Sequence, residues 1–303
     1  MANKSLQDAL KHVSNKYPED LFVLGKKQNI SKTASFVIPT FNSSRTLHEV
    51  VKSIINQTVS HQIKEIVLIN DASSDQTEPI IEELSVFSPI PIIYVRNRYR
   101  KYSAACRNKG VRMATGDVIC FIDSDIVLPP NYLDEHLSIH SFLDQCVTIS
   151  YRCFTNKTKF SVEDFPAGFA KGDFRCDKQN QGSISDNSKD LRLLGYGQRI
   201  GLSLPEMCLT CSICYSREDL LKVKGAPENF VGWGLNDTSM AAKVISLGRF
   251  VIPIKRATVY HINHPDRSGS LKLSEYQINY ARYRKMLLLP REKTFKYRIQ
   301  VLG

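Results

Sequence analysis

Apolar positions in this chain alternate between short unbroken runs and stretches with helical spacing. The first run, Ala-Ser-Phe-Val-Ile-Pro at residues 34 to 39, ends in polar residues. Glu65 to Asn70 holds Ile66-Val67-Leu68-Ile69, and Pro91 to Val95 and Val118 to Ile122 repeat the pattern. Such runs, bounded by turn residues, read as strands covered on both faces. Between the first two, Leu47, Val50, Val51, Ile54 and Ile55 recur at i, i+3, i+4, i+7 and i+8, one face of a helix. Helices are also predicted at 76–85 and from Ser103, as the cap, to Ala114, closed by Gly116. Strand–helix alternation at this spacing predicts an α/β protein with a mostly parallel sheet and right-handed crossovers.

Beyond Pro129-Pro130 the pattern loosens. A helix is predicted at 131–143, a strand at Val147 to Cys153, an ordered stretch from Met207 to Tyr215 and a helix from Arg217 to Lys224. A helix starts near Asn236, and strands follow near 249–254 and 257–261. Residues 173–190 are polar and aperiodic, the composition of a mobile loop or lid. Leu6, Leu10 and Val13 are at helical spacing in an otherwise polar start. Four regions result: a helical extension at 1–32, halves at 33–130 and 131–265, and a basic helical tail at 266–303.

The 303 residues suffice for one large domain or two small ones. No run approaches the roughly 18 apolar residues of a membrane helix, and the first residues lack a signal peptide's apolar core. The expectation is a cytoplasmic protein. The formal charge of +11 attracts anions in general. Arg96, Arg98, Arg100 and Lys101 cluster with Asn97, Tyr99 and Tyr102, and a second concentration lies in the tail, where it could hold the protein at a membrane surface. No zinc-finger spacing or RNA-binding motif is present, so no nucleic-acid partner is expected. Eight cysteines in a chain this long are not a disulfide framework.

Chemistry concentrates at the ends of the apolar runs. Asp123-Ser124-Asp125 follows the fourth run. Residues i and i+2 of an extended segment point the same way, so both carboxylates can meet at a strand's C-terminal edge, where open α/β sheets place ligands. Paired hard oxygens suit Mg²⁺ or Mn²⁺ carrying a phosphate; a solvated turn is the plainer alternative. Pro39-Thr40-Phe41-Asn42 and Asn70-Asp71-Ala72-Ser73-Ser74-Asp75 end the first two runs. Side by side, they could take a base and ribose, with Asp71 accepting from a ring N–H and the backbone of Pro39 and Thr40 completing the edge. Capping and turn chemistry is the alternative there. Arg107 and Asn108 lie one turn into the helix that opens near Ser103, and a helix N-terminus flanked by arginines favours a pyrophosphate.

The order Val-Ile-Pro-Thr-Phe-Asn, Asn-Asp-Ala-Ser-Ser-Asp, Ala-Ala-Cys-Arg-Asn-Lys-Gly and Gly-Asp-Val-Ile-Cys-Phe-Ile-Asp-Ser-Asp resembles the family 2 glycosyltransferases of GT-A fold. The resemblance covers residues 34–130 and implies a nucleotide-diphosphate sugar donor, most often a UDP-sugar. It implies that Asp71 binds uracil, that Asp123 and Ser124 lie near sugar and ribose, and that Asp125 binds the divalent metal. Asn42 and Arg107 fall inside the matching motifs. Phe230-Val231-Gly232-Trp233-Gly234-Leu235-Asn236-Asp237 resembles the Gly-Trp-Gly-x-Glu-Asp element of galactosyltransferase-like and chondroitin-polymerase-like C-terminal halves. By that likeness Asp237 is the general base on the acceptor hydroxyl. The family's Glu is Asn236 here, which puts sugar selectivity in doubt. Trp233, the sole tryptophan, is open to stacking on a sugar or to core packing. The resemblance further implies a histidine as third metal ligand; His261 aligns best, with His264 as the fallback.

These readings imply inverting, metal-dependent transfer of a sugar to a hydroxyl of a glycan, lipid-linked, peptide or small-molecule acceptor. A sugar nucleotidyltransferase would need a glycine-rich loop after the first strand, and residues 40–46 contain no glycine. A nucleotide-sugar-binding pseudoenzyme is opposed by the presence of Asp123, Asp125 and Asp237. Cys208, Cys211 and Cys214 have Cys-x₂-Cys-x₂-Cys spacing, open either to a metal site or to buried apolar packing.

Overall fold

The computed structural model describes residues 4–11, 13, 30–161, 201–264 and 269–295. The stretch at 173–190 expected to form a lid lies outside them. Among the described residues eight strands form one mixed sheet, in the order β3-β2-β1-β4-β7-β6-β8-β5. They are β1 (Ala34–Thr40), β2 (Ile63–Asn70), β3 (Ile92–Arg96), β4 (Val118–Ile122), β5 (Ile126–Val127), β6 (Cys146–Thr155), β7 (Ser212–Ser216) and β8 (Phe250–Ile262). The first four pair in parallel, as the strand–helix alternation predicts. Strand β7 then runs antiparallel to β4, Cys120 facing Cys214, so both halves of the chain share one sheet.

Helices cover both faces: α1 (Leu6–Lys11), α2 (Leu47–Ile55), α3 (Thr77–Phe87), α4 (Tyr102–Met113), α5 (Tyr132–Phe142), α6 (Arg217–Val223), α7 (Asn236–Ile245), α8 (Gly269–Leu288) and α9 (Arg291–Phe295). Alternate strand residues turn to opposite faces. Val37, Val67, Ile119 and Phe121 pack with residues of α4, α6 and α7. Phe36, Ile66, Cys120 and Ile122 pack with residues of α2, α3 and α5. Covering on both faces explains the unbroken apolar runs.

The two strands expected near 249–254 and 257–261 are the single strand β8. The gap is a bulge within β8: Ser150 and Arg152 of β6 pair with Ile254 and Val259, so the extra residues lie on β8 while its pairing with β6 continues on either side. The chain start is less peripheral than its polarity suggests. Leu6 and Leu10 are fully buried, and the Leu6 N–H donates to Leu289 O at 2.9 Å. The basic C-terminal segment likewise packs inward through Tyr283 and Met286. No helix among the described residues is long and apolar enough to cross a membrane.

The three closely spaced cysteines divide between the faces of the sheet: Cys208 packs on one, Cys211 and Cys214 on the other. All three are buried and outside any disulfide; Cys211 Sγ accepts from Arg152 at 3.9 Å and Cys214 Sγ donates to Cys120 Sγ at 3.2 Å, so they pack in the core rather than face one another around a metal. Cys153 is disulfide-bonded.

Lys243 on α7 is 1% exposed and donates to Gly225 O at 2.6 Å. Burial, with Lys224 nearby, brings its pKa from 10.5 down to about 7. The unfolded chain therefore holds a proton that the folded one gives up between pH 7 and 10.5, and stability rises with pH across that window. Below pH 7 the cost of a buried ammonium is fully present. Lys243→Met should lack this rise, so the native protein should gain stability relative to the variant from about pH 6.5 to about pH 9. Urea midpoints at the two pH values test it; a difference independent of pH would mean that the amine stays charged.

Candidate active site

Because β1, β2 and β4 are parallel, their C-terminal ends emerge at one edge, and each carries a motif. Thr40 pairs with Asn70, and the Asp71 N–H donates to Thr40 O at 2.8 Å. Asn42, at φ 51°, donates its N–H to Ser73 Oγ and accepts from the Ser74 N–H through Oδ1. Ser43 Oγ meets Ser124 Oγ at 2.7 Å, joining the first loop to the acidic motif. Pro39 is half-buried, and Thr40 is buried.

Asp71 is almost fully buried, and four groups donate to it. Asn97 Nδ2 and the Lys101 N–H reach Oδ1 at 2.9 and 2.7 Å, and Arg100 Nε and the Tyr102 N–H reach Oδ2 at 3.2 and 2.9 Å. It thereby caps α4 from a distance, satisfying N–H groups at the helix start that have no partner within the helix. Ser103, expected to be the cap, instead accepts from Asn236 Nδ2 at 3.2 Å. Arg100 lies flat over Phe41, 3.4 Å from the ring centroid, with Tyr102 beyond at 5.2 Å. Phe41 and Arg100 thus form a stacked pair in contact beside Asp71. Sequence reasoning missed it; the only trace was the cluster of basic and aromatic residues around Arg100.

Asp125 follows β4 and precedes β5. Strand β5 pairs with β8, Ile126 opposite His261, and this pairing draws the histidine to the acidic motif. Asp125 Oδ2 lies 3.7 Å from His261 Nε2 and 3.3 Å from His264 Nε2. One ligand atom from each of the three residues falls within 4.8 Å of the others. His261 and His264 therefore stand together rather than as alternatives. Among the described residues, Asp125 Oδ1 and His261 Nδ1 are buried with no hydrogen-bond partner. Burial holds the His261 imidazole below its ordinary pKa, against the pull of Asp125, and so keeps it neutral and fit to ligate. A carboxylate with two imidazoles suits Mn²⁺ well and Mg²⁺ acceptably.

Arg107 is expected to meet a pyrophosphate from the helix start. It is instead 5% exposed and lies between acids: Nη2 donates to Asp123 Oδ1 at 2.7 Å, and Nη1 to Asp237 Oδ1 at 3.2 Å and Asn236 Oδ1 at 3.3 Å. Burial opposes its charge, but Asp237 and Asp123 more than restore it and raise its pKa. Removal from water raises the Asp123 carboxyl, with Arg107 pulling down and Asp125 and Asp237 pushing up. Thr210 adds an O–H donor to Asp237 Oδ1 at 2.8 Å and an N–H to Oδ2 at 3.3 Å. The Asp237 side chain remains 25% exposed, so the carboxylate is oriented yet reachable.

The loop leading to Asp237 is held from below by α8. Gly232 and Gly234 have φ of 72° and 96°, values that favour glycine. A Cβ at Gly232 would strike the Glu275 carboxylate, and one at Gly234 the Tyr276 ring. Asn279 is fully buried and donates through Nδ2 to the carbonyls of Val231, Trp233 and Gly234 at 3.0–3.1 Å. The Trp233 N–H donates to Glu275 Oε2, leaving the indole 47% exposed at the surface rather than in the core.

Three parallel strand ends thus bring Asp71, the Asp125–His261–His264 cluster and the reachable Asp237 carboxylate to one edge of the sheet. The family model for glycosyl transferase family 2 matches residues 35–194, and the model described as the N-terminal domain of galactosyltransferase matches residues 202–265. The chain belongs to glycosyl transferase family 2, and its enzyme class is that of the glycosyltransferases. A chondroitin synthase of Pasteurella multocida (strain Pm70) is 26% identical over 89% of this chain and 29% of its own length. The minor teichoic acid biosynthesis protein GgaB of Bacillus subtilis (strain 168) is 25% identical over 81% of this chain and 25% of its own. The chain thus spans less than a third of either relative. Among solved structures, GalNAc-T7 with UDP, GalNAc and Mn²⁺ superposes with TM-score 0.61 at 19% identity, covering 84% of this chain and 48% of that one. The S. aureus TarS 1–349 complex with UDP-GlcNAc superposes with TM-score 0.54 at 16% identity, covering 84% and 70%. These likenesses establish the GT-A fold.

Proposed function

We propose that the protein transfers a sugar, with inversion, from a UDP-sugar to an acceptor hydroxyl during glycan or cell-surface polysaccharide synthesis. The observation that carries this reading is Asp237, reachable and oriented, joined through Arg107 to the acidic motif at the strand ends. The uracil ring stacks on Phe41 in the place Arg100 now takes, and its N–H replaces Arg100 Nε, the longest of the four donors on Asp71. Asp125, His261 and His264 would hold Mn²⁺ or Mg²⁺, which when bound offsets the charge gained by the leaving diphosphate. Asp237 takes the acceptor hydroxyl's proton on a carboxylate oxygen as the hydroxyl attacks the anomeric carbon. Thr210 and Arg107 keep that carboxylate aimed. Attack from the face opposite the departing diphosphate inverts the configuration in one displacement.

A thermal-shift and hydrolysis screen of UDP-, GDP- and dTDP-sugars with Mn²⁺ tests the reading. UDP-sugars should raise the melting temperature and be hydrolysed slowly without acceptor. Absence of stabilisation and hydrolysis with every nucleotide sugar would refute it.

Asp71→Ala should weaken UDP more than it weakens free pyrophosphate, because only the base loses a partner. It should also cost about 1–3 kcal/mol of stability, since Asn97 and the start of α4 lose a buried acceptor. Calorimetry with both ligands checks the first point; an equal loss for the two would remove Asp71 from base recognition.

A further inference from the structure

From the aromatic row on α8 we propose that Tyr276 and Tyr280 form a subsite for a saccharide acceptor, binding sugars behind the one that receives the transfer. The row starts at Trp233, four residues before Asp237. The Tyr276 ring lies 5.9 Å from the indole, and Tyr280 stacks on Tyr276 at 6.1 Å with planes 17° apart. Lys272, Tyr276 and Tyr280 are four residues apart on one helix face, and Lys272 Nζ stands 5.8 Å from the Trp233 ring. Trp233 and Tyr280 are each 47% exposed.

Rings left open to water in a continuous row mark a binding surface. A pyranose offers a flat face of C–H groups and a rim of hydroxyls. An aromatic ring covers that face without withdrawing the hydroxyls from water, and the tyrosine O–H adds a polar partner at the edge. The row begins at Trp233, in the loop that carries the proposed base, so a chain whose terminal hydroxyl is at Asp237 has the first ring close by. Lys272 adds a cation to pair with the carboxylates or phosphates of an acidic glycan. The inference rests on the glycosyl-transfer reading above and deepens it: the acceptor is a saccharide chain, recognised over several sugars.

Trp233, the sole tryptophan, reports on the row by its own fluorescence. The probes are N-acetylglucosamine oligomers and chondroitin and hyaluronan fragments of one to six sugars, together with a glycerol-phosphate oligomer lacking sugars. At least one saccharide series should change the emission saturably, with affinity rising with length. Tyr280→Ala should weaken the four- and six-sugar probes at least 10-fold and the monosaccharide little, while Tyr280→Phe, which keeps the ring and lacks only the O–H, should lose much less than Tyr280→Ala. No response to any saccharide, equal loss at all lengths, or a response confined to the sugar-free oligomer would overturn the proposal. A response to phosphatidylglycerol vesicles alone, or concentration-dependent dimerisation that alone moves the emission, would assign the row to a lipid surface or a second copy and equally overturn it. UDP-sugar hydrolysis by the native protein, measured in parallel, separates failure of this inference from failure of the glycosyl-transfer reading.

Discussion

Asp237→Asn is expected to lower the rate of sugar transfer by about 10²–10⁴-fold, the usual contribution of a positioned general base. Donor affinity should barely change. The amide keeps the size of the carboxylate and can still accept from Thr210, so the loop has no steric reason to move. It cannot take the acceptor's proton. Arg107 loses one of its two ion pairs but retains Asp123 at 2.7 Å, which limits the cost of leaving a buried cation less well matched. Steady-state transfer alongside calorimetric UDP-sugar binding makes the comparison. Near-native turnover in the variant would move the base elsewhere, and Glu228, which accepts from Asn108, is then the first carboxylate to examine.

Removing the Asp125 carboxylate should have an effect of similar size at the other end of the site. Asp125→Ala is expected to abolish Mn²⁺-dependent binding of UDP and leave melting behaviour nearly native. It supplies the sole anionic group of the Asp125–His261–His264 cluster, and its Oδ1 makes no hydrogen bond among the described residues. Little structural interaction is therefore lost with it. His264→Ala should weaken metal binding less, because the His264 side chain is 46% exposed, whereas that of His261 is 14% exposed and is held in place by β8 and by the Phe154 ring at 4.8 Å. Calorimetry of UDP with and without Mn²⁺ reads the result; unchanged metal dependence in Asp125→Ala would end the assignment.

The parallel half of the sheet was legible because each strand is covered on both faces and so prints an unbroken apolar run. Val118–Ile122 emerged with the bounds read from sequence, and Ala34–Thr40 one residue longer. What escaped depends on partners far apart in the chain. The two-residue strand β5 has no periodicity to read, yet its pairing with β8 brings His261 to Asp125. Asp71 reads as a base-binding acid with local turn chemistry as the alternative, whereas its capping of α4 needs a loop 30 residues away. Arg107 was placed at a helix start by its spacing, but nothing local says that its guanidinium turns to Asp237, 130 positions on. Thr210 sat unnoticed among cysteines, its part visible only once Asp237 lies beside it.

Helix α8 lies beyond both regions that match family models, which end at residue 265. Nevertheless Glu275, Tyr276 and Asn279 underpin the Gly-Trp-Gly loop. The stretches that match the family models and the helix that supports the loop before Asp237 are thus separate parts of the chain. If the aromatic row binds the acceptor as proposed, substitutions on the outer face of α8 would redirect which acceptor is chosen without touching a residue of the four motifs. Inheritance can then hold the reaction fixed while its product diversifies, and this helix is the place to look when two chains with the same motifs build different glycans.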